Sequence, residues 1–148
     1  MPTSSWTTAE QTGGGYSLML QLCPHGSGAG PHSHDQDEQF FVIDGRITYR
    51  ASGRELEAGP GSFVLIPRGT VHSFRVDSET ATLLNSYTPA GFERTIMELG
   101  ERARTRTLPP ADRPAIPGGM DNAVTLFREI GMHLVQESDA LREGRGEV

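Results

Sequence analysis

The sequence predicts an all-β fold, a sandwich or barrel of short antiparallel strands, followed by short helices. Three observations lead there. Of 148 residues, 18 are Gly and 10 are Pro, a share that suits tight turns better than a helical bundle. From Tyr16 to Thr88, β-compatible runs alternate with turns rich in Gly or Pro. Apolar residues at helical spacing begin only after Thr88.

Residues 1–15 read as an N-terminal arm, polar through MPTSSWTTAE and closed by the turn Gly13-Gly14-Gly15. Residues 16–88 read as the β core. Tyr16–Cys23 is its first strand. Gln39–Ile43 follows, and Asp44-Gly45 predicts a hairpin into Arg46–Ala51. Ser52-Gly53 turns into Glu55–Glu57, and Gly59-Pro60-Gly61 precedes Ser62–Ile66. Pro67-Arg68-Gly69 leads to Val71–Val76, and Thr80–Tyr87 closes the series. Residues 89–148 read as an extension. Phe92, Ile96 and Leu99 predict a short amphipathic helix over Gly91–Gly100. The prolines of Glu101–Gly119 predict an extended Pro/Arg-rich connector. Ala123, Phe127, Ile130 and Leu134 form one stripe, which predicts a second helix over Asp121–Gln136 with Asp121 near its N-cap.

Composition excludes several functions. The formal charge is −6, and all 13 basic residues are Arg. An acidic chain with no basic cluster before residue 102 does not suit nucleic acid or an anionic membrane surface. With no Lys there is no Schiff-base chemistry. One cysteine, Cys23, allows neither an intramolecular disulfide nor a zinc finger. No apolar run reaches the roughly 18–20 residues of a membrane span. Met1–Gln11 lacks the features of a secretory signal, so the expected location is cytoplasmic.

The informative segment is Gly26–Glu38. In an extended chain, residues two apart share a face, so His32, His34 and Glu38 can converge, with Phe40 and Val42 following on that face. Two imidazoles and a carboxylate suit a transition metal. A chance cluster of polar loop residues fits these three residues as well. The opposite parity carries Phe41 and Ile43, and a strand apolar on both faces is buried on both. Further on, Pro67-Arg68-Gly69 places His72 at a strand start, where it is a possible fourth ligand.

These two segments resemble the cupin superfamily. The first cupin motif, G-x5-H-x-H-x3-E-x6-G, reads Gly26, His32, His34, Glu38 and Gly45. The second, G-x5-P-x-G-x2-H-x3-N, reads Gly61, Pro67, Gly69 and His72, with Val76 in place of the closing Asn. The resemblance covers about residues 16–88. It implies a double-stranded β-helix (jelly-roll) barrel around a 3-His-1-Glu centre, with His32, His34, Glu38 and His72 as ligands. It also implies one divalent transition metal per chain (Fe, Ni, Mn, Cu or Zn), with two coordination positions left open. An open position marks a catalytic site rather than a structural one.

Strand parity then assigns the pocket wall to Phe40, Val42, Phe63, Leu65 and Phe74, with Ile47 and Tyr49 beside them. Tyr49, Asn85 and Tyr87 are candidate polar contacts or ordinary core residues. AGPGSFVLIPRGTVHSF and TPAGFER are similar to bacterial quercetinase-like single-domain cupins. That similarity implies a metal-dependent oxidoreductase, a dioxygenase using O2 on a small aromatic or enolisable organic substrate, with Glu38 catalytic as well as ligating. An O2-independent Lewis-acid cyclase or isomerase of polyketide-like metabolism needs the same ligands. A non-catalytic small-molecule-binding cupin is the third reading. Cupins of this kind pair into homodimers, and exposed strand edges fit that. Cys23 reads as a small buried residue, His25 as a loop residue, and His133 as partly exposed on the second helix. The Arg102, Arg104 and Arg106 run reads as a solvated connector.

Overall fold

The computed structural model describes residues 6–105, 107–108, 110, 120–136 and 139. In chain order the elements are β1 (Trp6–Thr7), α1 (Ala9–Thr12), β2 (Ser17–Pro24), β3 (His32–His34), β4 (Asp37–Asp44) and β5 (Ile47–Ala51). They continue with β6 (Arg54–Ala58), β7 (Phe63–Ile66), β8 (His72–Val76), β9 (Thr80–Thr88), α2 (Glu93–Leu99), α3 (Met120–Glu129) and β10 (Met132–Leu134). Two antiparallel five-stranded sheets face each other, in the orders β1-β2-β9-β4-β7 and β10-β3-β8-β5-β6. Among the described residues no helix is long and apolar enough to cross a membrane.

The inner faces meet in one core. Phe40, Val42, Ile47, Tyr49, Val64, Ile66, Val76, Ala81 and Leu83 are buried there, with Cys23 and Phe74 packed against them. Alternation along β9 shows the logic: Ala81, Leu83, Asn85 and Tyr87 are buried, while the residues between them are half-buried. Each strand thus presents one face to the core, as packed sheets require.

Asp44-Gly45 is not a hairpin. β4 pairs with β7 and β9, whereas β5 pairs with β6 and β8, so this turn is a corner between sheets. Gly45 has φ +91°, and a Cβ there would lie 2.5 Å from the Thr80 carbonyl oxygen. The close corner therefore needs glycine. The true two-residue hairpin is Ser52-Gly53, with φ of 49° and 71° and Ala51 opposite Arg54. Positive φ at both positions matches the right-handed twist of β5 and β6.

The second predicted helix is also shorter than its periodicity implied. α3 ends at Glu129, and Gly131 follows with φ +76°, a left-handed residue that stops a helix. Residues 132–134 then form β10, antiparallel to β3, with Met132 opposite His34 and Leu134 opposite His32. His133 and Leu134 therefore lie on a strand and are exposed. Backbone pairing to the free edge of β3 outcompeted one more helical turn. Leu126, Ile130 and Met132 form a small second core with Phe92, Leu99 and Phe127, which covers that end of the barrel. The buried Glu93 carboxylate accepts from the Ala9 amide at 2.6 Å and the Gly91 amide at 2.7 Å, tying α1 to α2. Most of the predicted connector, Arg106 included, lies outside the described residues; Arg102 and Arg104 are exposed.

Candidate metal centre

β3 carries His32 and His34 with Ser33 pointing away, β4 brings Glu38, and β8 opens on His72. His32 lies directly opposite His72 across the β3–β8 pair. All four side chains are buried, and one potential ligand atom from each lies within 4.8 Å of the others. The extended parity seen in the sequence therefore converges as expected. The Pro67–Gly69 turn supplies the fourth group: the Gly69 amide donates to the His34 carbonyl at 2.8 Å, and His72 follows three residues later.

Each imidazole is oriented by its own backbone. His32 Nδ1 lies 2.8 Å from the Gly30 carbonyl, His34 Nδ1 2.8 Å from that of Gln36, and His72 Nδ1 2.8 Å from that of Thr70. A carbonyl only accepts, so Nδ1 carries the hydrogen and Nε2 is left with a lone pair. His34 Nε2 and His72 Nε2 sit 3.0 and 2.9 Å from Glu38 Oε2. Neutral rings would aim lone pairs at a carboxylate oxygen. Either protons or a cation must lie between them, so this donor set fits a divalent transition metal.

Glu38 is itself held from behind. Asn85 Nδ2 donates to Oε1 at 3.0 Å, and the Tyr87 hydroxyl donates to the same oxygen. Oε1 is thereby occupied, and Oε2 is the atom presented to the imidazoles. Burial pushes the Glu38 carboxyl up, but without metal, and with protons between the rings and the carboxylate, hydrogen bonds from His34, His72 and Tyr87 outweigh it and hold the group at about 2. Burial also lowers His32, helped by neighbouring His72, to about 4. For His34, burial pulls down, yet the bond to Glu38 and its charge leave the net direction upward. Burial and the Glu38 charge raise Tyr87, which keeps its hydroxyl protonated as a donor. Phe92 stacks on the Tyr87 ring (centroids 4.1 Å apart, planes at 11°) and sets its edge against His34 at 6.1 Å.

The residues expected to wall a pocket do not all face the interior. Phe40, Val42 and Tyr49 are buried inside, and Phe74 packs on Phe40 and Tyr49 at 5.5 and 5.8 Å. Phe63 and Leu65 point outward, 77% and 61% exposed. β7 aligns Val64 with Phe40 and Ile66 with Glu38, and paired residues share a face. The run Phe63–Ile66 is apolar throughout, so its sequence carries no parity. Among the described residues the buried Tyr49 hydroxyl has no hydrogen-bond partner. A groove of about 610 Å³ lies along β5 and β8, lined by His72 and Phe74 together with Arg50, Arg54 and Arg75. Cys23 is half-buried at the core margin, with its thiol pushed up by burial. His25 lies exposed on a loop, its Nδ1 3.1 Å from the Asp77 and Ser78 carbonyls.

Sequence reasoning did not single out two residues around the centre. Phe92 was read only as part of a helical stripe. Gln36 is buried and donates to the Ile130 carbonyl at 2.8 Å, joining the ligand loop to α3. No spacing signal marks either, because both act across the fold. Asn85 and Tyr87, which the sequence offers as polar contacts or core residues, are both buried, and both contact the candidate ligand Glu38.

Residues 19–87 match the family described as "Cupin domain". With the two-sheet fold and the matching motifs, this stretch of the chain is a cupin domain. Among curated proteins, the quercetin 2,3-dioxygenase of Bacillus subtilis (strain 168) is 30% identical over 93 residues, covering 62% of this chain and 28% of that protein. The quercetin 2,3-dioxygenase of Aspergillus japonicus is 27% identical over 128 residues, covering 81% of this chain and 35% of that protein. The chain therefore spans about a third of the length of these relatives. Among solved structures, the Clostridium difficile EutQ protein superposes with a TM-score of 0.50 at 23% identity, over 59% of this chain and 61% of that one. That likeness concerns the fold alone.

Proposed function

We propose that this chain is a metal-dependent cupin enzyme, an oxidoreductase of the dioxygenase type acting on a small aromatic or enolisable organic substrate. The observation that carries the reading is the convergence of one ring nitrogen from each of three imidazoles and one Glu38 carboxylate oxygen within 4.8 Å, all buried. The similarity to two quercetin 2,3-dioxygenases supports the reaction class. His32, His34, Glu38 and His72 would hold one divalent transition metal, the histidines through the Nε2 that their Nδ1 bonds leave free and Glu38 through a carboxylate oxygen. Bound there, the metal supplies Lewis acidity toward a substrate oxygen and a redox route to O2.

The chain's own residues do the rest. The three backbone carbonyls fix ring tautomer and orientation, and such outer partners commonly change metal affinity 10–100-fold. Asn85 and Tyr87 hold Glu38 ionised and occupy Oε1, which leaves Oε2 turned toward the position the metal would take. Phe92 covers Tyr87 and His34 and keeps water from that side of the centre. Phe40, Val42, Tyr49 and Phe74 supply the apolar interior.

Elemental mass spectrometry on untagged protein, paired with oxygen-electrode assays on flavonol and enol substrates, tests this reading. Stoichiometric Fe, Ni, Mn or Cu, absent from His72→Ala, together with substrate-dependent O2 uptake, is the expected result. Turnover that survives anaerobically with zinc replaces the dioxygenase by a Lewis-acid isomerase or cyclase. Absence of metal after reconstitution refutes both and leaves a binding protein.

A further inference from the structure

Strand parity separates the two faces of the second sheet. On β5, Tyr49 is buried in the core, and the next residue, Arg50, is exposed on the opposite face. On β8, His72 is buried and Arg75 is exposed. The register sets Thr48 opposite Arg75 and Arg50 opposite Ser73, while Glu55 of β6 lies opposite Arg50 on its other side. The groove of about 610 Å³ runs along these strands, and Arg54, just past the β5–β6 turn, joins its lining. Its volume is in the range of a small-molecule site, about 300–1,000 Å³.

Three guanidinium groups and one carboxylate, that of Glu55, line this groove in a chain of net charge −6. The arginines are not used up by their neighbours. Arg50 donates from Nε to Glu55 at 2.8 Å, an exposed pair of the kind that holds little energy. Among the described residues its terminal nitrogens have no partner, and neither has the Arg54 guanidinium. Arg75 is held in place by Asp77, through Nε at 3.0 Å and Nη2 at 2.8 Å. Pro31, Val71 and Phe74 add apolar lining. Surplus guanidinium beside apolar surface is complementary to an anion that carries an apolar body.

We propose that the groove along β5 and β8 is a binding site for a small organic carboxylate with an apolar body, its carboxylate taken by Arg54 and Arg50. The planar guanidinium matches a carboxylate in bidentate fashion. A phosphate ion alone would leave the apolar lining wet and most of the volume unfilled. A polyanion such as nucleic acid would meet Glu55, the exposed Glu57 and Asp77 on a chain that is itself acidic. The site is distinct from the candidate metal centre. His72 borders both, but its ring, 1% exposed, turns inward to Glu38. The inference is independent of the activity proposed above.

The test is titration of the full chain with naphthoate, followed by calorimetry and by amide NMR. Naphthylmethanol, the same body without charge, and inorganic phosphate, a charge without the body, are the comparisons. Naphthoate is expected to saturate with a Kd of roughly 10 µM to 1 mM, at least about 10-fold tighter than either comparison. The amides of Ser52–Glu55 and Ser73–Arg75 should shift. Arg54→Gln and Arg50→Gln should each weaken binding about 10-fold or more. Arg128→Gln removes the same charge from an exposed position on α3 outside the groove and should leave binding unchanged. All three side chains are exposed, so folding should survive, and the same NMR spectra check it. No saturation up to about 10 mM, phosphate or naphthylmethanol binding as tightly as naphthoate, indifference to both groove variants, or shifts centred on Ser33–Glu38 at the metal centre overturns the proposal.

Discussion

Replacing Tyr87 by Phe tests the architecture of the centre without touching a ligand. The change deletes one hydroxyl and keeps the ring that stacks on Phe92 at 4.1 Å. Glu38 Oε1 then retains only the Asn85 amide at 3.0 Å. A hydrogen bond to a charged, buried group contributes about 1.5–3 kcal/mol, which is roughly 10–100-fold in an equilibrium constant. Two consequences follow from one number. Metal affinity, measured by competition against a chelator, should fall 10–100-fold in Tyr87→Phe. The Glu38 carboxyl, now at about 2, should move toward the ordinary carboxylate range, so acid should release metal about one to two pH units higher, at 1.36 kcal/mol per unit. Asn85→Asp is unsuitable as a comparison because it adds a charge; Phe92→Leu serves as the packing control. If Tyr87→Phe binds metal as tightly as wild type and loses it at the same pH, Tyr87 does not position Glu38.

Two further predictions follow. Metal-stripped protein should lose stability on acidification, read as Tm across pH 8 to 4. Between pH 6.5 and about 4 the unfolded chain protonates His32 while the folded one does not, a loss of about 3 kcal/mol. Glu38, lowered from 4.5 to about 2, adds to the loss below pH 4.5. His34, shifted the other way, offsets part of it by losing its contribution as pH rises past its own value. A flat or rising Tm on acidification contradicts this. Gly45→Ala should cost about 2 kcal/mol or more, some 4–8 °C in Tm for a chain of this size. Gly61→Ala is the comparison: its φ of +86° is similar but a Cβ there meets open space, so it should cost less. Equal losses would show that the corner against Thr80 is not tight.

Much of the site was legible locally. His32, His34 and Glu38 lie within seven positions on one parity of an extended chain, and a β-strand turns parity into direction. His72 was readable because Pro67 and Gly69 mark the turn before it. Parity failed where the pattern was uniform: Phe63–Ile66 has no polar residue to tell inside from outside, so pairing with β4 decided it. Asp44-Gly45 reads as a hairpin because the local chemistry of a tight turn is the same whether the next strand returns to its neighbour or crosses to the facing sheet. The end of α3 likewise depended on a partner, since Met132–Leu134 has apolar residues compatible with helix or strand and the free edge of β3 chose strand.

The all-β class, the two motifs and the shared parity of His32, His34 and Glu38 are legible in the chain alone, because these rest on neighbours a few residues apart. The tertiary structure decided which groups stand behind the ligands. Asn85 and Tyr87 reach Glu38 across 47 and 49 residues of chain, and Gln36 reaches Ile130 across 94. Contacts of that separation are set by sheet order and register, which no local pattern encodes. The same holds for the groove along β5 and β8. Each of its arginines is an ordinary charged residue in its own segment, and only the register of β5, β6 and β8 sets them along one groove.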